Sequence, residues 1–354
     1  MIMHTLTLSN FRNHKNFTID FNGDSVLIVG PNGSGKSNIL EAIHYLSTTK
    51  SLRVRFDKEL ISHNENIMRI EAGAKISGDL TNLELVLVAS AVFENAATKK
   101  VKINKVSKTL QKFAGTITSV LFSPPDIELF SGPPSRRRRY MDQVLYQTNH
   151  SYKRAHAQYT RVLKQRNKVL WQVKEKKANI SQLDFWNAAM IQTASILHEK
   201  RQEYFDFINA NISRYAKELN GTDFTYDLIY TKSELSNERL QQYIDREIAA
   251  RTTLLGPHRD DFRVVLSKYD IATFGSRGQQ RSTLLALKLC ELDFITQKTG
   301  QRPILLLDDI FSELDEKHRK AVTEIVGMQQ TIITSADAMK TLPGTANTMK
   351  VIKL

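Results

Sequence analysis

Gly30-Pro31-Asn32-Gly33-Ser34-Gly35-Lys36-Ser37 lies between the apolar run Ser25-Val26-Leu27-Ile28-Val29 and the amphipathic run Asn38-Ile39-Leu40-Glu41-Ala42-Ile43. A strand, a glycine-rich turn and a helix in that order predict a phosphate-binding loop, so the chain is expected to bind a nucleoside triphosphate. Gly30 and Gly35 let backbone N–H groups curl around a phosphate with no Cβ in the way, at the positive end of the helix. Lys36 is placed to neutralise β- and γ-phosphates. The Ser37 hydroxyl is a ligand for Mg²⁺, and Pro31, Asn32, Gly33, Ser34 and Asn38 complete the expected cradle.

The partner motifs lie far downstream. Pro303-Ile304-Leu305-Leu306-Leu307-Asp308-Asp309 reads as a buried strand ending in two carboxylates. Asp308 is the expected Mg²⁺ residue, and Asp309 the group that orients or deprotonates an attacking water. For an isolated pair, a helix cap would explain Asp309 equally well.

Ser276-Arg277-Gly278-Gln279 opens a second helical run about thirty residues before that strand. Ser276, the Gly278 amide and Gln279 at a helix start form a further phosphate-binding surface. A chain with its own phosphate loop has no use for it on its own nucleotide, so the expectation is ATP held between two copies in a two-fold dimer. Phosphate loop, signature and Asp-ended strand occur here in the order of ABC-type ATPases. Ser312-Glu313-Leu314-Asp315 follows at the spacing of their interface loop. Ser335 stands where many of them carry a γ-phosphate-sensing His, and the shorter Asp309 where most carry Glu. Both departures predict slow hydrolysis, below about one turnover per second.

Charge is concentrated. From residue 131 to 180 there are thirteen Lys and Arg against Asp142 and Glu175, a net +11 of the chain's +13. Arg136, Arg137, Arg138 and Arg139 form one block; Lys153 and Arg154 begin a basic helical run continuing through Lys177. Such a surface predicts polyanion binding, with DNA as the partner. A merely solvated helix face is the plainer alternative.

The single cysteine, Cys290, excludes an internal disulfide framework and fits a reducing cytoplasm. The alternating N-terminus is expected not to be a signal peptide, and no apolar stretch reaches the length of a membrane span, so no membrane partner is expected. Pro/Gly punctuation near residues 124–135 and 255–261 predicts an α/β fold in two parts. Residues 1–130 and 258–354 form a discontinuous ABC-type ATPase head, a parallel sheet with the phosphate loop plus antiparallel strands from residues 51–120. A mainly helical, basic lobe, residues 131–257, is inserted between them.

The chain resembles the RecF family of bacterial ATPases related to SMC heads. The resemblance rests on Leu8-Ser9-Asn10-Phe11-Arg12-Asn13-His14, the phosphate loop, Ser123-Pro124-Pro125-Asp126, Gly132-Pro133-Pro134-Ser135-Arg136-Arg137-Arg138, Leu163-Lys164-Gln165-Arg166-Asn167, Leu255-Gly256-Pro257-His258-Arg259-Asp260-Asp261, the signature and Leu307-Asp308-Asp309-Ile310-Phe311-Ser312-Glu313-Leu314-Asp315. It implies an ATP-dependent dimer on gapped or junction DNA, working with RecO and RecR to load RecA in repair and replication. It also implies contacts of Arg12 and Asn13 with the nucleotide edge, though ending a hairpin would explain them as well. An ATPase subunit of a transporter, or a clamp that never hydrolyses ATP, are the rival functions.

Overall fold

In the computed structural model, alternation in the first hundred residues becomes one antiparallel sheet. Strands β1 (Ile2–Phe11) and β2 (His14–Asp20) form a hairpin, and β3 (Val26–Val29) leads into helix α1 (Lys36–Thr48). Then come β4 (Ile67–Ile76), β5 (Asp79–Ala89), β6 (Ala97–Ile103), β7 (Val106–Lys108), the single turn α2 (Leu110–Phe113) and β8 (Ser119–Phe122). The middle is mainly helical: α3 (Glu128–Ser131), α4 (Pro134–Thr148), α5 (His150–Lys174), α6 (Leu183–Asn220), then β9 (Tyr226–Thr231) and α7 (Asn237–Ala250). Strands β10 (Asp261–Leu266) and β11 (Tyr269–Asp270) and the turn α8 (Ile271–Phe274) precede α9 (Arg277–Thr299). Last are β12 (Ile304–Asp308), α10 (Glu316–Val326), β13 (Thr331–Ser335) and β14 (Lys350–Lys353). The structure describes residues 1–93, 95–220, 224–312, 316–336 and 349–354.

The chain divides into two units, the first comprising Met1–Ile127, Ile212–Phe224 and Arg277–Leu354. It contains the antiparallel sheet, in order β2-β1-β4-β5-β6-β7, and an all-parallel sheet in order β14-β3-β13-β12-β8. In β4, Met68, Ile70, Ala72 and Ala74 are buried while Arg69, Glu71 and Lys75 face water, the period of a sheet with one wet face. Helix α1 packs on strands of both sheets and buries Ile39, Leu40, Ile43 and Leu46 between them. The inner parallel strands β3, β13 and β12 are almost wholly buried, as strands covered on both faces must be, whereas the edge strand β14 carries Lys350 and Lys353 and is largely exposed.

The second unit comprises Glu128–Asn211 and Thr225–Ser276. Residues 258–276, expected with the ATPase head, belong here, because β10 takes β9 and β11 as its hydrogen-bond partners. Residues 212–224, expected in the helical lobe, fall in the first unit.

The second unit is organised around Asp260, which is fully buried. Its carboxylate accepts from Arg201 Nη1 at 2.7 Å, His198 Nε2 at 3.2 Å, the Ser233 amide at 2.8 Å and the Tyr230 hydroxyl. Burial alone would raise its pKa; His198, Arg201 and Tyr230 outweigh that and hold it below the usual carboxylate range. Arg201 also donates to Asp142 at 2.9 Å, to the Pro257 carbonyl at 2.7 Å and to the Tyr152 hydroxyl at 3.0 Å. The motif Leu255-Gly256-Pro257-His258-Arg259-Asp260-Asp261, opaque as a sequence, is thus a keystone: Asp261 binds Arg137 at 2.6 and 2.9 Å, and the Asp260 carbonyl accepts from Arg138. Gly256 takes φ 113°, and a Cβ there would lie 2.5 Å from the Tyr159 hydroxyl.

His258 is held neutral. Its Nε2 donates to the Thr253 carbonyl at 3.0 Å, leaving Nδ1 to accept from Tyr159 at 2.7 Å. Burial, with Arg259 and Arg138 nearby and against the opposing pull of Asp260, lowers its pKa from 6.5 to about 4. Between those values the unfolded chain binds a proton that the folded chain refuses, so stability falls as pH drops through 6.5 toward 4. From pH 7 to 5 this amounts to about 2 kcal/mol at 1.36 kcal/mol per pKa unit. Urea melts of wild type and His258→Gln at both pH values should differ by that much in their pH dependence.

Candidate nucleotide site

The phosphate loop joins the end of β3 to the start of α1. Gly33 and Gly35 take φ 83° and 98°, open to glycine and costly to other residues. Gly35 is the N-cap of α1 with no side-chain cap, and the first turn carries no acidic residue of its own, so its leading amides are not capped by a side chain of the helix. The Ser34 hydroxyl is buried there with no partner. Glycines, bare helix end and orphan hydroxyl together fit an anion of phosphate type. Lys36 is almost buried, its Nζ 2.7 and 2.8 Å from the Gly30 and Pro31 carbonyls.

Residues 271 positions apart meet beside it: the Ser37 hydroxyl donates to Asp308 Oδ1 at 2.6 Å. Thr334, paired with Asp308 across β13, donates to the same oxygen at 2.8 Å. Sequence reasoning passed over Thr334, although its place at a strand end two residues after apolar Ile332 was a signal. A hydroxyl and a carboxylate at the carboxyl ends of parallel strands suit Mg²⁺, which keeps most of its waters and shares phosphate oxygens. Among the described residues no group of three or more His, Cys, Asp or Glu forms a metal cage, so such an ion would depend on the nucleotide for ligands. Asp309 sits in the left-handed region at φ 50°, its amide bound to the Thr334 carbonyl at 3.1 Å. Ser335 ends β13 in register with Val29 and is buried.

Asn38 donates to Asn13 Oδ1 at 2.8 Å, and Asn32 and Gly33 are exposed on the loop's outer turn. Arg12 spends its guanidinium on the buried Glu41 carboxylate at 3.0 and 3.1 Å. Ser276, exposed, ends the second unit; Gly278, exposed, and Gln279, half-buried, belong to the first turn of α9. Glu313, Leu314 and Asp315 lie outside the described residues.

The basic block divides by burial. Arg137 is bound to Asp261 and to the Gly132 carbonyl at 2.8 Å, Arg138 to the Asp260 carbonyl, and Arg136 to Glu128 at 2.6 Å. Lys153 is buried, and Arg166, with no exposure at all, bonds Glu247 at 2.6 Å. These cations hold the second unit together. Arg154, by contrast, is exposed, and with Arg161, Lys164 and Lys168 it lies within a sector of about 80° on α5 at 3.6 residues per turn.

The model of the RecF/RecN/SMC N-terminal domain matches residues 2–353. The DNA replication and repair protein RecF of Natranaerobius thermophilus is 34% identical over 357 residues, covering 95% of this chain and 91% of that protein. The chain belongs to the RecF family. The RecF of Herpetosiphon aurantiacus is 34% identical over 360 residues, covering 95% and 94%. A solved structure described as the recombination mediator protein RecF with ATP in the RecFOR pathway aligns with TM-score 0.85 and 29% identity over 95% of this chain and 92% of that one. An Smc head bound to the C-terminal winged-helix domain of ScpA aligns over the whole chain and 94% of its own, at TM-score 0.53 and 16% identity, a likeness of fold. The ABC-type fold expected from the motif order is that of this RecF-family chain, and the likeness to SMC heads implied by the resemblance holds as a likeness of fold.

Proposed function

We propose that this protein is an ATP-dependent DNA-binding recombination mediator, a slow ATPase whose nucleotide closes two copies around DNA and which acts with RecO and RecR to place RecA. The observation that carries the reading is the meeting of Ser37 and Asp308 beside a phosphate loop with a bare helix end. ATP brings the bond to be broken, and Mg²⁺ offsets the charge of its phosphates. Lys36, freed from the Gly30 and Pro31 carbonyls, neutralises phosphate oxygens; Ser37 and Asp308 hold the ion; Asp309 orients water; Ser276, Gly278 and Gln279 serve the nucleotide of the other copy.

For DNA the exposed α5 stripe is the better surface than residues 136–139, whose guanidinium groups at 136, 137 and 138 already have protein partners. Arg154 to Lys168 spans about 21 Å at 1.5 Å per residue, the length of duplex axis over which one strand carries about six phosphates at 3.4 Å of axis each. The test is fluorescence anisotropy on a gapped duplex across a salt series, with and without MgATP. ATP should tighten binding. Changing Arg154, Arg161, Lys164 and Lys168 to Ala should lower the slope of log K against log salt by about 3 to 4, at 0.9 per phosphate contact. Binding indifferent to ATP would remove the switch, and an unchanged slope would remove the stripe.

A further inference from the structure

We infer that Asn13 and His14, at the tip of the β1–β2 hairpin, are positioning residues that set the peptide planes of the phosphate loop. The inference rests on the nucleotide reading above and deepens it. A loop that wraps an anion with its N–H groups must turn the opposite ends of those peptides, its carbonyls, outward, where the loop itself offers them few donors. The hairpin supplies donors at two of them, those of Gly33 and of Gly35, the latter shared with the Asn38 and Ile39 amides of the first helical turn at 2.9 and 3.2 Å. Asn13 Nδ2 reaches the Gly33 carbonyl at 3.4 Å, and His14 Nε2 donates to the Gly35 carbonyl at 3.1 Å. The Gly35 carbonyl belongs to the peptide whose N–H is that of Lys36, the first residue of α1. Fixing one end of that plane aims the other at the anion.

The fit is close. A Cβ on Gly35 would lie 2.5 Å from His14 Nε2 and 2.7 Å from the Asn13 amide, so the glycine is needed for the hairpin's approach as well as for its φ of 98°. Asn13 also accepts from Asn38, tying the hairpin to the first turn of α1. The hairpin tip is itself held stiffly. Its turn residue Arg12 takes φ 55° and Asn10 φ 53°, conformations that cost a residue with a Cβ about 1 kcal/mol each. Those costs are offset by neighbours on every side. The Arg12 amide donates to the Leu60 carbonyl at 2.8 Å, its carbonyl accepts from Ser62 at 2.6 Å, and its guanidinium is forked onto Glu41. His14 is buried, with its ring 4.9 Å from that of Phe17. Thus the tip is a rigid anvil, and Arg12 serves it by anchoring rather than by reaching outward.

A residue that shapes the loop differs measurably from one that touches the γ-phosphate. The loop amides face the β-phosphate, which ATP and ADP share. Titration calorimetry of the full chain with MgATP and with MgADP should therefore show His14→Leu and Asn13→Ala each weakening both nucleotides by the same factor, about fivefold for one lost hydrogen bond. His14→Gln, which keeps an N–H near the position of Nε2, should stay within about twofold of wild type by the same reasoning. Melting temperatures without nucleotide should fall by no more than about 4 °C in His14→Leu and Asn13→Ala, the scale of one hydrogen bond, and stay at the wild-type value in His14→Gln. Weakening of ATP alone would mean direct contact with the γ-phosphate and overturn the inference. So would unchanged affinity, or a melting temperature that falls in step with affinity and is not restored by Gln. A wild type that binds neither nucleotide would instead defeat the proposed function itself.

Discussion

Arg201→Met should cost the protein about 3–5 kcal/mol, the usual penalty for removing one partner of a buried ion pair. In calorimetry this should appear as a fall of about 10 °C in melting temperature. The cause is the set of groups left behind. Asp260 and Asp142 would lose the cation that joins them, and the Pro257 carbonyl and Tyr152 hydroxyl would lose a donor inside the second unit. Arg201→Lys should recover little, since one ammonium cannot reach positions served by Nε, Nη1 and Nη2 together. A loss below about 1 kcal/mol, the scale of an exposed pair, would mean that water reaches Asp260 and that the keystone is not one.

Asp308→Asn should leave the fold intact and abolish ATP turnover, by at least about 100-fold, the scale of losing one preorganised electrostatic group. The amide oxygen of Asn can still accept from Ser37 and Thr334, whose hydroxyls lie 2.6 and 2.8 Å from Oδ1. What it cannot supply is the negative charge that the proposed Mg²⁺ site requires. Unchanged melting with lost phosphate release is the expected pair of results. Turnover within about tenfold of wild type would place the ion elsewhere.

The strand, glycine turn and helix around residues 30–37 were legible because the residues are contiguous and the glycines answer a local requirement. Asp308 was legible because an apolar strand announces its own end. Long-range partners were not. Nothing in Leu255-Gly256-Pro257-His258-Arg259-Asp260-Asp261 tells that Asp260 will find Arg201 and His198 about sixty residues upstream on α6. The paired use of β10 with β9 and β11, which moved residues 258–276 into the second unit, was hidden for the same reason. The basic run is the instructive middle case. As a count of charges it looked uniform, yet Arg166 stands four positions after buried Val162 and three before buried Val169, on the apolar side of α5. Helical periodicity by itself separates it from Arg161, Lys164 and Lys168. His14 carried no such signal, since its role depends on a two-residue turn bringing it against Gly35.

The placement of β3 between β13 and β14 also orders events on the ribosome. Roughly 300 residues separate Val29 from Thr331, the first residue of its neighbour β13. At about 5–20 residues per second, the strand carrying the phosphate loop waits about 15–60 s for its sheet. Every residue of the second unit emerges during that interval. A nascent chain halted before Thr331 would thus hold a finished Asp260 keystone and an unassembled ATPase, unable to draw stability from cellular ATP and open to quality-control proteases.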